Sequence, residues 1–206
     1  RDDRRKKMAD RFRHRLHAQQ AVDAVTNDEA AFLRLDVHVA RPLVEGFLLL
    51  AREDDLGHSE HPYWISEVIA DEAEKAQLLI RDKPIEWVTR IDHDFQVSIP
   101  YYVFSIVIGN LVRNACHYTD HGRIEVVVGK NRIQVMDTGI GMTEEQLGKV
   151  FELFYRGESG NQSGKGIGMS LVKRFCDRFG WTITLDSEPG KGTVATVLLP
   201  ETSYID

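Results

Sequence analysis

Cysteine is scarce in this chain, and the two present, Cys116 and Cys176, lie far apart with no CxxC spacing. That excludes a disulfide framework and a cysteine zinc site, and both are expected to be reduced thiols. No apolar run reaches the roughly 18 residues a membrane helix needs. The chain opens on charges rather than on an apolar segment, so no secretory signal is expected either. Positive charge is not in excess: 26 Lys and Arg stand against 32 Asp and Glu, a net charge of -6. Non-specific nucleic-acid binding by the whole chain is therefore not expected. No internal repeat is visible. What is present is ordinary for a soluble globular protein: 206 residues, 42% hydrophobic and 28% charged. That length suits one or two domains with a real core.

The first 17 residues, RDDRRKKMADRFRHRLH, are basic, with Met8, Phe12 and Leu16 as a weak apolar stripe. In DEAAFLRLDVHVARPLVEGFLLLARE (28–53), Leu33, Val37, Ala40, Val44, Phe47 and Ala51 follow alternating steps of four and three. This is the seam of a helix packed in a bundle. Pro42 should kink it, and Thr26-Asn27-Asp28-Glu29 is a turn and N-cap at its start. Two helices with a short connection form a hairpin. Its core is too small to stand alone, so a four-helix bundle on dimerisation is expected. Residues 1–55 are assigned to this hairpin domain, Asp54 to Ser59 to a linker, and residues 58–206 to a second domain.

In that second domain the pattern predicts helices over 63–80 and 101–119, and strands over 85–91, 123–129 and 132–137. A short helix is predicted from Thr143 to about Phe151, and a longer one ends near Phe179. WTITLDSE and GTVATVLLP close the domain as a hairpin. RGESGNQSGK (156–165) has the composition of a mobile loop. Overall the expected fold class is α+β: the helical hairpin, then an α/β sandwich with a mixed sheet.

Three motifs carry chemistry. SGKGIGMSLV (163–172) sets alternating glycines before a helix, where free N–H groups attract anions. It is not a Walker A loop, because position 159 is Ser and position 166 is Gly. Nor is it a dinucleotide fingerprint, because position 169 is Met. Alone it fits a plain flexible loop as well as a phosphate site. MDTGIGM (136–142) ends a strand with Asp137, followed by Gly139 and Gly141. A carboxylate there can accept a hydrogen bond from an adenine amino group, or simply open a turn. IVIGNLVRNACHYT (106–119) places Asn110 and Asn114 on one helix face, extended by His117 and Tyr118. Their amides could face a magnesium ion and phosphate oxygens, or solvent.

The three motifs together resemble, in order, the ATP-binding catalytic domain of the sensor histidine kinases of two-component systems, within the wider Bergerat (GHKL) ATPase family that includes gyrase B and Hsp90. NLVRNA with His117-Tyr118-Thr119 matches the N box, DTGIG the G1 box, VFELFYR the F box and GKGIG the G2 box. The resemblance covers about residues 60–200. It implies that Asn114 is the Mg²⁺ ligand with Asn110 as its neighbour, and that Asp137 reads adenine. It further implies that Tyr118, Gly139, Gly141, Phe154, Arg156, Lys165, Gly166 and Gly168 line the ATP site, and that residues between Phe154 and Gly164 form a short lid. His117 stands where the family usually has lysine, which predicts a weaker or pH-dependent phosphate contact.

By the same resemblance the 28–53 helix is the second helix of the family's dimerisation and phosphotransfer hairpin. The nearest match to the phosphoacceptor box is FRHRLHAQ, making His14 the candidate phosphoacceptor, with His17 and His38 as rivals. Arg15 stands where the family has an acidic residue, and Ala18 where it has a polar one. The implied function is an ATP-dependent protein histidine kinase, cytoplasmic and homodimeric, passing its phosphoryl group to a response regulator aspartate. Membrane attachment is expected only through segments outside this chain. The alternative is a nucleotide-binding dimeric scaffold, or a pseudokinase or phosphatase without autokinase activity.

Overall fold

A computed structural model describes residues 62–155 and 166–200. The expected hairpin with His14, and Arg156 and Lys165, lie outside the described residues. The described chain runs β1 (Tyr63–Trp64), α1 (Ile65–Leu79), β2 (Ile85–Ile91), β3 (Gln96–Val97), α2 (Tyr101–Tyr118), β4 (Gly122–Gly129), β5 (Arg132–Asp137), α3 (Glu144–Lys149), α4 (Gly168–Phe179), β6 (Thr182–Glu188) and β7 (Gly192–Leu198). The long elements match the expected ones to within about two residues at each described end. The β1–β3 bridge, pairing Tyr63 with Val97 and Trp64 with Gln96, was not anticipated. Two residues are too few to show a period of two.

Five strands form one mixed sheet in the order β2-β4-β5-β7-β6. β2 and β4 are parallel, because α2 intervenes as the crossover; the other neighbours are antiparallel. Cross-strand partners share a face, so two rows can be traced across the sheet. Val126, Val135, Ala195 and Leu185 form one. Ile124, Asp137, Thr193 and Ser187 form the next. Asp137 therefore ends β5 in line with buried apolar side chains.

Helix α1 buries Ile65, Val68, Ile69, Glu72 and Ala76, at helical spacing, against the sheet and α2. Helix α2 lies between α1 and α4 and also touches β5. Phe95, Phe104 and Phe175 are fully buried, and Phe104 stacks on Trp181 at 4.5 Å. On the other sheet face Glu125 pairs with Arg90 at 3.2 Å and Arg123 at 3.0 Å. Such exposed pairs contribute little. Both cysteines are free, and burial pushes the Cys116 thiol up to about 11 and Cys176 to about 12. They are inert thiols, as expected from their number. No helix among the described residues is long and apolar enough to cross a membrane.

Candidate functional site

Helix α2 is the wall from which the site is built. Val103, Phe104, Val107, Ile108, Leu111, Val112 and Ala115 bury its apolar side. Asn110, Arg113, Asn114 and His117 follow at i, i+3, i+4 and i+7, forming one polar stripe. Asn110 is only 6% exposed. Its Nδ2 donates to the Ile106 carbonyl at 2.7 Å, and its Oδ1 accepts from Arg113 Nη2 at 3.2 Å. Bonding back to the i-4 carbonyl satisfies a residue that otherwise disfavours a helix interior. Asn110 also touches the start of α4: a β-carbon on Gly168 would lie 2.8 Å from its Oδ1. Asn114 is half-buried, and its side chain makes no hydrogen bond to another described residue.

The C-terminal end of α2 is clamped. Lys83 Nζ donates to the carbonyls of Cys116 and Thr119, each at 2.8 Å, and lies 3.2 Å from Asp120. A cation at the last carbonyls complements the helix dipole. His117, one turn back, has its pKa lowered by burial first, then by Lys83 and Arg113. The imidazole is therefore neutral at pH 7, and its titration moves to the acid side of the range anticipated from sequence. The unfolded chain takes up a proton near pH 6.5 that the folded one refuses until lower pH, so this residue removes stability as pH falls. His117→Gln is expected to flatten the fall in melting temperature between about pH 7 and pH 5. A slope identical to wild type would show that His117 is not the titrating group.

The G1 turn meets this helix end. Asp137 Oδ1 accepts the Gly139 N–H at 2.8 Å. Burial raises the Asp137 pKa, opposed by the N–H groups of Gly139 and Thr193. Ile140 N–H donates to the Tyr118 carbonyl at 3.0 Å, and Gly190 N–H to the Ile140 carbonyl at 2.7 Å. Met142 N–H donates to Ser187 Oγ at 2.9 Å. Gly141 has φ +64, the left-handed region that glycine enters without strain. A β-carbon there would also meet the Glu188 carbonyl carbon at 2.7 Å. The turn is thus held by α2 on one side and the β6–β7 connection on the other.

The remaining expected residues gather where α4 begins. Gly166 has φ +67, and Phe154 N–H donates to its carbonyl at 2.9 Å. Phe154 is itself left-handed at φ +66 and 64% exposed. This conformation costs a non-glycine residue about 1–2 kcal/mol. Asn110, Asn114, His117, Tyr118, Asp137, Gly139, Gly141, Phe154, Gly166 and Gly168 thus all belong to α2 or to segments adjoining its polar stripe. Sequence reasoning missed Arg113, although its spacing from Asn110 placed it on the same stripe. It also missed Lys83, in the α1–β2 connection, and Ser187, near the end of β6, which are distant in sequence and carry no local signal.

A scan of family models matches residues 103–203 to the "Histidine kinase-, DNA gyrase B-, and HSP90-like ATPase" family. Sensor histidine kinase WalK of Bacillus subtilis is 29% identical over 174 residues, spanning 77% of this chain and 28% of that protein. Sensor protein kinase PmrB of Pseudomonas aeruginosa is 32% identical, spanning 91% of this chain and 42% of that protein. The chain therefore covers less than half the length of these curated relatives. Among solved structures, a mycobacterial sensor histidine kinase, MprB, superposes with a TM-score of 0.60 at 24% identity, over 68% of this chain and 97% of that one. The matched span, 103–203, contains the asparagine helix, the DTGIG turn and the glycine-led helix, and the chain carries an ATP-binding catalytic domain of the sensor histidine kinase family.

Proposed function

We propose that this chain is the cytoplasmic catalytic portion of an ATP-dependent protein histidine kinase. Residues 58–206 form the catalytic domain and residues 1–55 a hairpin that dimerises and carries the phosphoacceptor. The observation that carries the reading is Asp137: a desolvated carboxylate at a strand end, held by backbone N–H groups beside the polar stripe of α2. A buried carboxylate of this kind selects the adenine amino group by accepting its hydrogen. Tyr118, partly exposed at the end of α2, accepts the Ile140 N–H of the same turn through its backbone carbonyl.

Magnesium fits the donor set. Asn114 offers one amide oxygen not used by another described side chain, and Mg²⁺ takes few protein ligands because phosphates and water complete its shell. Bound there, the ion would neutralise phosphate charge. Lys165 and Arg156 supply further positive charge in the reading from sequence. Phosphoryl transfer is then chiefly positioning and electrostatics. An imidazole nitrogen of His14 attacks the γ-phosphorus, the bond from that phosphorus to the β,γ-bridging oxygen breaks, ADP leaves and the imidazole proton passes to solvent. The phosphoryl group next moves to an aspartate carboxylate of a response regulator.

With labelled ATP, the purified chain should yield an acid-labile, base-stable phosphoprotein, and His14→Gln should abolish it. Label retained in that variant moves the acceptor to His17 or His38. Arg15 and Ala18, beside His14, favour a second reading in which the chain binds ATP and dimerises without autokinase activity. ATP binding with no phosphohistidine at any position would decide for it.

A further inference from the structure

Arg113 has no role in the reading above, yet it lies on the stripe of Asn110, Asn114 and His117. We propose that Arg113 is a nucleotide-binding residue, the fixed cation that faces the polyphosphate, and that Glu72 positions it. This rests on the adenine-nucleotide reading of the site.

Four observations converge. Arg113 reaches back along α2, as long helical side chains do, and its Nη2 donates to a neutral amide oxygen, Asn110 Oδ1, at 3.2 Å. That oxygen is the atom that meets Gly168 at the start of α4, so the guanidinium is one side chain away from the N–H groups of a helix N-terminus. Glu72, 3% exposed on α1, packs against α2 at Gly109, one helical turn before Arg113. Glu72 is itself held by Ser105 Oγ at 2.7 Å and Lys75 Nζ at 2.6 Å. Its Oε2 lies 2.7 Å from where a β-carbon on Gly109 would sit, so the carboxylate lies close against the α2 backbone at that glycine. Finally, the position one turn on, where the resembled family carries lysine, holds a histidine that is neutral at pH 7. The charge missing at His117 is supplied by Arg113. A guanidinium also offers planar, paired donors suited to phosphate oxygens.

The test is a set of affinities for ATP and AMP, measured by calorimetry on the 206-residue chain, on Arg113→Met and Arg113→Lys, and on Glu72→Gln, with melting curves to confirm folding. Arg113→Met should weaken ATP about ten- to a hundredfold, the worth of a charge-assisted bond. AMP should weaken far less, and Lys should restore part of the loss. Glu72→Gln should also lose ATP more than AMP, by a smaller factor. Equal losses for ATP and AMP, or unchanged ATP affinity in Arg113→Met, would overturn the proposal. A wild-type chain that binds neither nucleotide would overturn the nucleotide reading itself, and this assignment with it.

Discussion

Asp137→Asn is expected to abolish measurable ATP binding while leaving the domain folded. The carboxylate only accepts hydrogen bonds, and so matches an amino group. An asparagine rotated to present its NH₂ would face that donor with another donor. A site built for one pairing rejects the mismatch strongly. The lost charge-assisted bond and the mismatch together should cost about a hundredfold or more in affinity. Stability should behave differently. The Asp137 pKa lies above its ordinary 3.8, chiefly because burial disfavours the charged form. As pH rises through 3.8 the unfolded chain ionises first, so this group's contribution to stability is full below that pH and declines above it. Asparagine removes the decline. The variant should therefore be as stable as wild type or slightly more so at pH 7, with the difference vanishing in acid. Calorimetric titration with ATP and melting curves at pH 4 and pH 7 check both halves. Tight ATP binding by the variant would remove Asp137 from adenine recognition.

Gly139→Ala should have a large effect on folding. Gly139 does not have a left-handed φ, so its constraint is contact rather than conformation. A methyl there would overlap the Tyr118 carbonyl oxygen, with the carbonyl carbon at 2.8 Å and Asp137 Oδ1 at 2.9 Å. Neither neighbour is the free end of a flexible chain. The helix end is clamped by Lys83, and the Tyr118 carbonyl also accepts Ile140 N–H. Overpacking of this kind costs about 2–3 kcal/mol, a fall of about 5–10 °C in melting temperature for a domain this size. Nucleotide binding should fail as well, because the displaced turn carries Asp137 with it. Gly148→Ala is the control: a β-carbon there meets nothing within 4 Å. Equal melting temperatures for the two variants would show that the turn accommodates the methyl.

Much of the domain was legible because its chemistry is local. Periodicity located α1, α2, α4 and the long strands. Asp137 and the glycines were legible because a tight turn admits few residue types. The sequence could not show which way an amide faces. Helical spacing alone puts Asn110 and Asn114 on one face without separating them, whereas packing commits the first to Ile106 and Arg113 and leaves the second unused by its described neighbours. Nor was the state of His117 legible. Its pKa is lowered first by burial and then by Lys83, which arrives from the α1–β2 connection through contacts that no local pattern encodes.

The Phe154–Gly166 hydrogen bond has an evolutionary consequence. It closes the chain on itself at 2.9 Å, immediately outside the stretch 156–165. Strands β5 and β7 are joined residue by residue from Arg132 with Leu198 to Asp137 with Thr193, independently of what lies between those two positions. Doubling the length of a closed loop costs only about 0.6 kcal/mol. A lineage can therefore insert, delete or recharge residues in this stretch and keep the sheet, the asparagine helix and the G1 turn. Descendants of one fold can diverge in the length and charge of this stretch while inheriting the same sheet, asparagine helix and DTGIG turn.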